Sequence, residues 1–266
     1  MLAGLIKRKS REKRSPLTAS PLRSPGQSID EEIQRIIDEK IDEYAAWGSI
    51  FIGLMLFEWA RAYFAMPPQP IAFTIVGVIG GGYTLVRIWM YQGKLRSLRQ
   101  ARDGEKAVGQ YLEALREKGY RVFHDIVGKG FNIDHALIGP AGVFSIETKT
   151  ISKPVKGQSE VSYDGQTVRV NGFTPDRDPV VQAKAQASWL IEFIKESTGK
   201  TPKVRPVVLY PGWYISPQPK GAQVWVLNPK SLPAFLEHED VVLGAEDVKL
   251  IAYHLSRYIR ESCKKA

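Results

Sequence analysis

Three residues close together in this chain have the types and spacing to cut a phosphodiester bond. Asn132-Ile133-Asp134-His135 is followed by the break Gly139-Pro140-Ala141-Gly142 and then by Val143-Phe144-Ser145-Ile146-Glu147-Thr148-Lys149. Apolar residues on both sides of the break predict two antiparallel strands joined by a tight turn. Pairing Ile138 with Val143 across that turn sets Ala136 opposite Ser145 and Asp134 opposite Glu147. Period-two alternation then gathers Asp134, Glu147 and Lys149 on one face and sends Phe144 and Ile146 into a core on the other. Like charges directly opposed in a sheet, with side chains roughly 5 Å apart, are unfavourable. A cation between them removes the difficulty. Hard carboxylate oxygens suit Mg²⁺ or Mn²⁺, and the sequence offers no Cys/His cluster for a softer metal. Such an ion polarises a phosphoryl oxygen and acidifies a bound water, while Lys149 orients that water or offsets charge building on the phosphorane.

Further residues carry a family likeness. Gly104-Glu105 opening a helix, Tyr120-Arg121-Val122-Phe123-His124-Asp125-Ile126, Asn132-Ile133-Asp134-His135, Gly139-Pro140 and Gly142 through Lys149 together resemble the nuclease-related domain (NERD), a family placed in the PD-(D/E)XK nuclease superfamily. The likeness spans about residues 103–230. It implies an α/β, restriction-endonuclease-like core, with a central mixed sheet flanked by helices, and a role in DNA processing. It also implies that Asp134, Glu147 and Lys149 are the catalytic trio and Glu105 the acidic residue of a neighbouring helix. One departure is Ile133, which stands where the superfamily's name has Pro.

The elements that must position these residues follow from local signals. Asp103 reads as an N-cap for a helix through Lys118 with Ala107, Val108, Tyr111, Leu112 and Leu115 inward and Gly119 as its stop. Glu105 then falls in the first turn, where the macrodipole alone favours an acid; its site role rests on the resemblance. Strands are expected near 120–126, 131–138, 142–150, 203–210 and 223–227, with a hairpin over Val161–Asn171 turning at Asp164-Gly165. Asp178-Pro179 reads as N-cap and first position of a helix to about Ser197, before Gly199. On it Gln182 and Gln186 share a face at i and i+4, which by itself describes a solvated face. The resemblance implies that Gln182 lies near the site. A closing helix is expected over Glu246–Glu261. Alternation puts His135 on the face opposite Asp134, which gives it a structural role. Of the scattered basic residues, Lys153 and Lys156 follow the active-site strand and are the candidates for nucleic-acid contact.

Composition narrows the class. A single cysteine, Cys263, excludes a disulfide framework and a Cys-type zinc site and fits a reducing compartment. The net charge of +9 is unevenly placed: residues 1–102 hold 15 basic against 9 acidic residues, and residues 103–266 hold 22 against 19. General basicity is therefore no independent support for nucleic-acid binding by the catalytic segment.

The N-terminal excess flanks two apolar stretches, Tyr44–Met66 and Ile71–Tyr91, which are separated by Pro67-Pro68-Gln69-Pro70 and resemble a transmembrane hairpin. Lys7, Arg8, Lys9, Arg11, Lys13, Arg14 and Arg23 precede the first, and Lys94, Arg96, Arg99 and Arg102 follow the second. The connecting loop is uncharged, so both termini and the nuclease-related domain are expected in the cytoplasm. Trp47, Trp59, Tyr63, Trp89 and Tyr91 suit interface anchoring, and Gly77-x-x-x-Gly81 suits close helix approach. Glu58 and Arg61 interrupt the first stretch, leaving a charge-free run of only 14 residues from Tyr44 to Phe57. At i and i+3 they can pair, yet a soluble hairpin packed on the catalytic domain or a partner is the competing reading.

Met1–Ile6 is too short for the apolar core of a signal peptide. The sequence thus divides into a basic disordered tail (1–27), an acidic amphipathic helix (28–43) opening with the capping box Ser28-x-x-Glu31, the transmembrane hairpin (44–91), a basic linker (92–102) and the nuclease-related α/β domain (103–266). The acidic helix or the hairpin could also join copies of the chain into a homo-oligomer. The functional expectation is a membrane-anchored, Mg²⁺-dependent (or Mn²⁺-dependent) nuclease acting on DNA, with Asp134 and Glu147 on the metal and Glu105 and Gln182 in support. The alternatives are an inactive nuclease fold that binds nucleic acid or a protein, and a membrane scaffold.

Overall fold

Gly142 takes a φ of +119° in the tight turn after Gly139, and the flanking strands fold back with Ile138 opposite Val143, Ala136 opposite Ser145 and His135 opposite Ile146. The computed structural model describes residues 21–64, 69–128, 130–154 and 159–262. Around this hairpin, strands β1 (Arg121–Val127), β2 (Asn132–Gly139), β3 (Gly142–Thr148), β6 (Val204–Leu209) and β8 (Trp225–Leu227) form a mixed sheet in the order β1-β2-β3-β6-β8. The first three strands are antiparallel; β3, β6 and β8 run parallel. A second sheet, β5-β4-β7, joins β4 (Glu160–Tyr163), β5 (Val168–Val170) and the short β7 (Tyr214–Ile215), which sequence signals do not indicate.

Alternation assigns the two faces of the main sheet to different helices. Phe123, Ala136, Ile138 and Val143 pack on α4 (Pro179–Thr198) and α6 (Ala245–Ser262) through Leu190, Ile194, Ile251 and Leu255. Val122, Leu137, Phe144 and Ile146 face α3 (Pro70–Glu113) through Val108 and Leu112, and α5 (Leu232–Glu237) through Leu232 and Leu236. Phe144 and Ile146 are thus core residues on the side away from Glu147, as the alternation requires. The α/β core with a mixed sheet between helices is the expected one.

The N-terminal boundaries differ from expectation. Helix α1 (Gln27–Ile36) passes through a wide π turn at Ile37–Ile41 directly into α2 (Asp42–Tyr63), and α3 runs unbroken for 44 residues from the second apolar stretch to Glu113. No linker interrupts 92–102, and Asp103 caps nothing, because no breaker stands there and Leu95 and Leu98 of α3 pack on Ile33 and Ile36 of α1. That packing also takes up the apolar stripe of the acidic helix within the chain. The capping box does not form either: Gly26, at φ +70°, precedes α1 with no capping side chain of its own, and Ser28 and Glu31 engage Arg23 instead. Residues 21–27 are held against the domain rather than disordered, Arg23 being only 6 % exposed. The basic residues before position 21, the Pro67-Pro68 pair and Cys263 lie outside the described residues.

Helices α2 and α3 lie side by side. Gly77 and Gly80 make the close approach, where a Cβ would meet Met55 at 3.1 Å and Phe51 at 2.6 Å; Gly81, expected in that role, faces nothing. Glu58 is buried and pairs with Arg61 at 2.7 Å. Among the described residues, one helix, Pro70–Lys118, is long and apolar enough by length and composition to cross a membrane. Helix α2, with its charged pair, falls short of that measure.

Candidate active site

Four elements converge where β2 and β3 leave the sheet. The ladder between them stops at His135 and Ile146, so Asp134 and Glu147 are not a ladder pair; instead Asp134 Oδ2 accepts the Thr148 N–H at 2.7 Å. Glu147 is buried, yet both of its oxygens are satisfied. Oε1 receives the Lys149 ammonium at 2.7 Å and the Gln182 amide at 2.7 Å, and Oε2 receives the Gln186 amide at 2.6 Å. Lys149 in turn donates to Gln182 Oε1 at 2.8 Å, closing a ring of three side chains.

Helix α4 delivers both glutamines because its start is fixed. Pro179 is its first residue, and Asp178 accepts the Val180 N–H at 2.8 Å, which orients the first turn toward β3. Gln182 lies where the resemblance implies, and Gln186, which the spacing alone describes only as part of a solvated face, is buried beside it. The i,i+4 spacing was the available signal, since two glutamines on the face turned to a buried carboxylate are both donors.

Glu105 arrives from the other side. It lies deep within α3, not in a first turn, so the dipole of a helix start does not account for it. Gly104 lets α3 press on the end of β3: a Cβ there would come within 1.7 Å of Thr150 Oγ1. The Glu105 carboxyl is pushed up to about 8, chiefly by burial and then by the negative charges of Asp125 and Glu147. Burial, Glu147 and Glu105 together hold the Asp134 carboxyl well above the usual carboxylate range. The negative charge of Glu147 thus disfavours the charged forms of both Glu105 and Asp134.

A cleft of about 1030 Å³ is lined by Glu105, Phe131, Asp134, Arg177, Gln182 and Gln186 among others; Glu147 and Lys149 are not among the residues lining it. No group of three or more His, Cys, Asp or Glu among the described residues could hold a metal ion unaided. Asp134 and Glu147, with Glu105 adjacent, offer carboxylate oxygens of the kind a hard cation takes, though Glu147's oxygens and Asp134 Oδ2 are already hydrogen-bonded here.

His135 is fully buried, with Nδ1 2.8 Å from His124 Nδ1, while His124 Nε2 meets Glu113 at 2.9 Å. Burial lowers the pKa of both rings and favours neutral imidazoles in a structural pair. Lys153 is exposed beside Gly212, not among the described residues lining the cleft, and Lys156 lies outside the described residues.

Residues 100–211 match the family model described as nuclease-related domain (NERD). That segment is similar to the nuclease-related domain. Neither a curated protein nor a solved structure matches the chain. The segment matched to the nuclease-related domain holds Glu105, Asp134, Glu147, Lys149, Gln182 and Gln186, and it ends just after β6. Helix α6, beyond the matched segment, completes the core on the α4 face of the sheet through Val248, Ile251 and Leu255.

Proposed function

We propose that this protein is a membrane-anchored, divalent-cation-dependent phosphodiesterase that cuts DNA. One observation carries the reading: a buried Glu147 is joined to Lys149, Gln182 and Gln186, and the two glutamines line one cleft with Asp134 and Glu105. Asp134 and Glu147 would hold Mg²⁺ or Mn²⁺, and Glu105 would support the site from α3. When bound, the ion supplies Lewis acidity at the phosphoryl oxygen and a more acidic water. Lys149 is aimed by Gln182 and Glu147 and so is restrained where it can orient a water or meet charge developing on phosphorus. Gln186 holds the second Glu147 oxygen and ties α4 to the Asn132 carbonyl at 2.8 Å, which fixes the carboxylate between the strands.

Anchoring is supported by the apolar side chains that α2 and α3 leave exposed, among them Ile50, Phe57, Ile79, Leu85 and Trp89. Under the positive-inside rule, the flanking positive charges support a cytoplasmic side for the domain. Lys153 and Lys156 would contact the DNA backbone, and copies of the chain could associate through the hairpin.

A second reading, an inactive nuclease fold that binds nucleic acid or a protein, draws on the complete engagement of Glu147 by three donors. The deciding experiment is DNA cleavage by the full chain in detergent with Mg²⁺ or Mn²⁺. Cleavage that Glu147→Ala abolishes supports the enzyme; DNA binding without cleavage by the unaltered chain supports the inactive fold.

A further inference from the structure

The segment before α1 reaches the back of the site. Pro25 sits on Gly109 of α3, where a Cβ would meet it at 2.5 Å, and Gly26 lies against Arg102. From this strap Arg23 turns inward, its side chain 4 % exposed. Its Nε donates to Asp125 Oδ2 at 2.6 Å, and its guanidinium also reaches Ser28 Oγ at 3.1 Å and Glu31 at 2.8 Å. The same Asp125 oxygen accepts the Ser28 N–H at 2.8 Å, so a carboxylate of β1 caps the start of α1 from a distance.

Asp125 is itself unusual. It is buried within a strand at φ +50°, a conformation that costs energy in a residue other than glycine. It lies close enough to Glu105 to disfavour that residue's charge, while the Gly26 N–H favours it. One turn further along α1, Ile29 lines the cleft together with Glu105 and Asp134. A buried ion pair in a strained strand adds little net stability over apolar packing. Here it joins the strap, α1, β1 and the surroundings of Glu105.

We propose that Arg23 is a positioning residue of the candidate site: by neutralising Asp125 and pinning the start of α1, it sets the Glu105 carboxylate and the Ile29 wall of the cleft. The site is then completed by a segment that precedes the apolar helices and lies outside the nuclease-related match. This inference rests on the reading of the cleft as a phosphodiesterase site.

The test uses the full chain in detergent, with Mg²⁺ and single-stranded and duplex DNA, and compares Arg23→Gln, Arg23→Lys, the double variant Arg23→Gln/Asp125→Asn and the exposed control Arg35→Gln. Misplacement of a supporting acid should lower kcat by about tenfold to a hundredfold in Arg23→Gln. KM should stay within about twofold, since the loss is one of transition-state stabilisation rather than binding. Arg23→Lys should recover most of the rate, and Arg35→Gln should match the unaltered chain. The double variant has no lone buried charge, so it carries the decision if Arg23→Gln does not fold. It should unfold near the temperature of the unaltered chain and still turn over slowly. A folded double variant with normal kcat overturns the inference. Calorimetry with Mn²⁺ runs in parallel: an unaltered chain that neither binds Mn²⁺ nor cuts DNA defeats the functional reading, whereas cleavage undiminished by the Arg23 variants defeats this inference alone.

Discussion

Gln186 donates to Glu147 Oε2 at 2.6 Å and also to the Asn132 carbonyl, so one buried amide holds α4, β2 and β3 in register around the candidate catalytic carboxylate. Gln186→Ala leaves a buried acceptor without its donor, which costs about 1–3 kcal/mol. Denaturant unfolding should show a loss in that range, and DNA cleavage should fall by more than the change in folded fraction explains. Unchanged stability would mean that Glu147 does not depend on this bond.

Lys149 shares its ammonium between Glu147 and Gln182, and the two contacts serve different ends. Gln182→Ala frees one side of the ammonium and should reduce the cleavage rate by roughly tenfold through looser placement, while Lys149→Ala removes the cation and should cost about 10²–10³-fold. Single-turnover rates on labelled DNA measure both. A larger loss for Gln182→Ala than for Lys149→Ala would reverse these roles.

The acids should also make stability depend on pH in an uncommon direction. Glu105, ordinarily near 4.5, is pushed up to about 8, and Asp134 moves the same way. The folded chain therefore keeps protons that the unfolded chain has lost, and stability falls as pH rises through this window before levelling above it. Each unit of separation corresponds to about 1.4 kcal/mol. Thermal unfolding without metal should show Tm declining from about pH 5 to pH 8. Glu105→Gln should flatten that decline, and Mn²⁺ should oppose it at the upper end. A metal-free Tm that rises across the window would contradict the assignment.

Gly104 should tolerate no side chain. Its missing Cβ is what lets α3 meet Thr150, and overpacking of this kind costs typically about 1–3 kcal/mol. Gly104→Ala should lose that much in denaturant unfolding and should displace Glu105; Gly93→Ala, on the same helix with open space around it, should be neutral or slightly stabilising.

Much of the site's scaffold was legible because short-range chemistry fixes it. The Gly139–Gly142 break set the hairpin register, and Asp178-Pro179 with Gly199 bounded α4. What could not be read depends on partners distant in sequence. The stretch 92–102 is polar and basic enough to pass for a linker, yet it is helical because Leu95 and Leu98 pack on α1. Arg23 reads as one more tail cation until Asp125, 102 positions away, is beside it. Gln186 shares a face with Gln182, but only the packing of α4 on β3 shows that this face is the buried one.

The proposed chemistry turns on a divalent cation held between Asp134 and Glu147. Anomalous diffraction from crystals of the full chain soaked in Mn²⁺ tests it most directly. A peak within bonding distance of both carboxylates, lost in Asp134→Asn, is the expected result; no peak there in the unaltered chain would mean that the two carboxylates do not hold the ion.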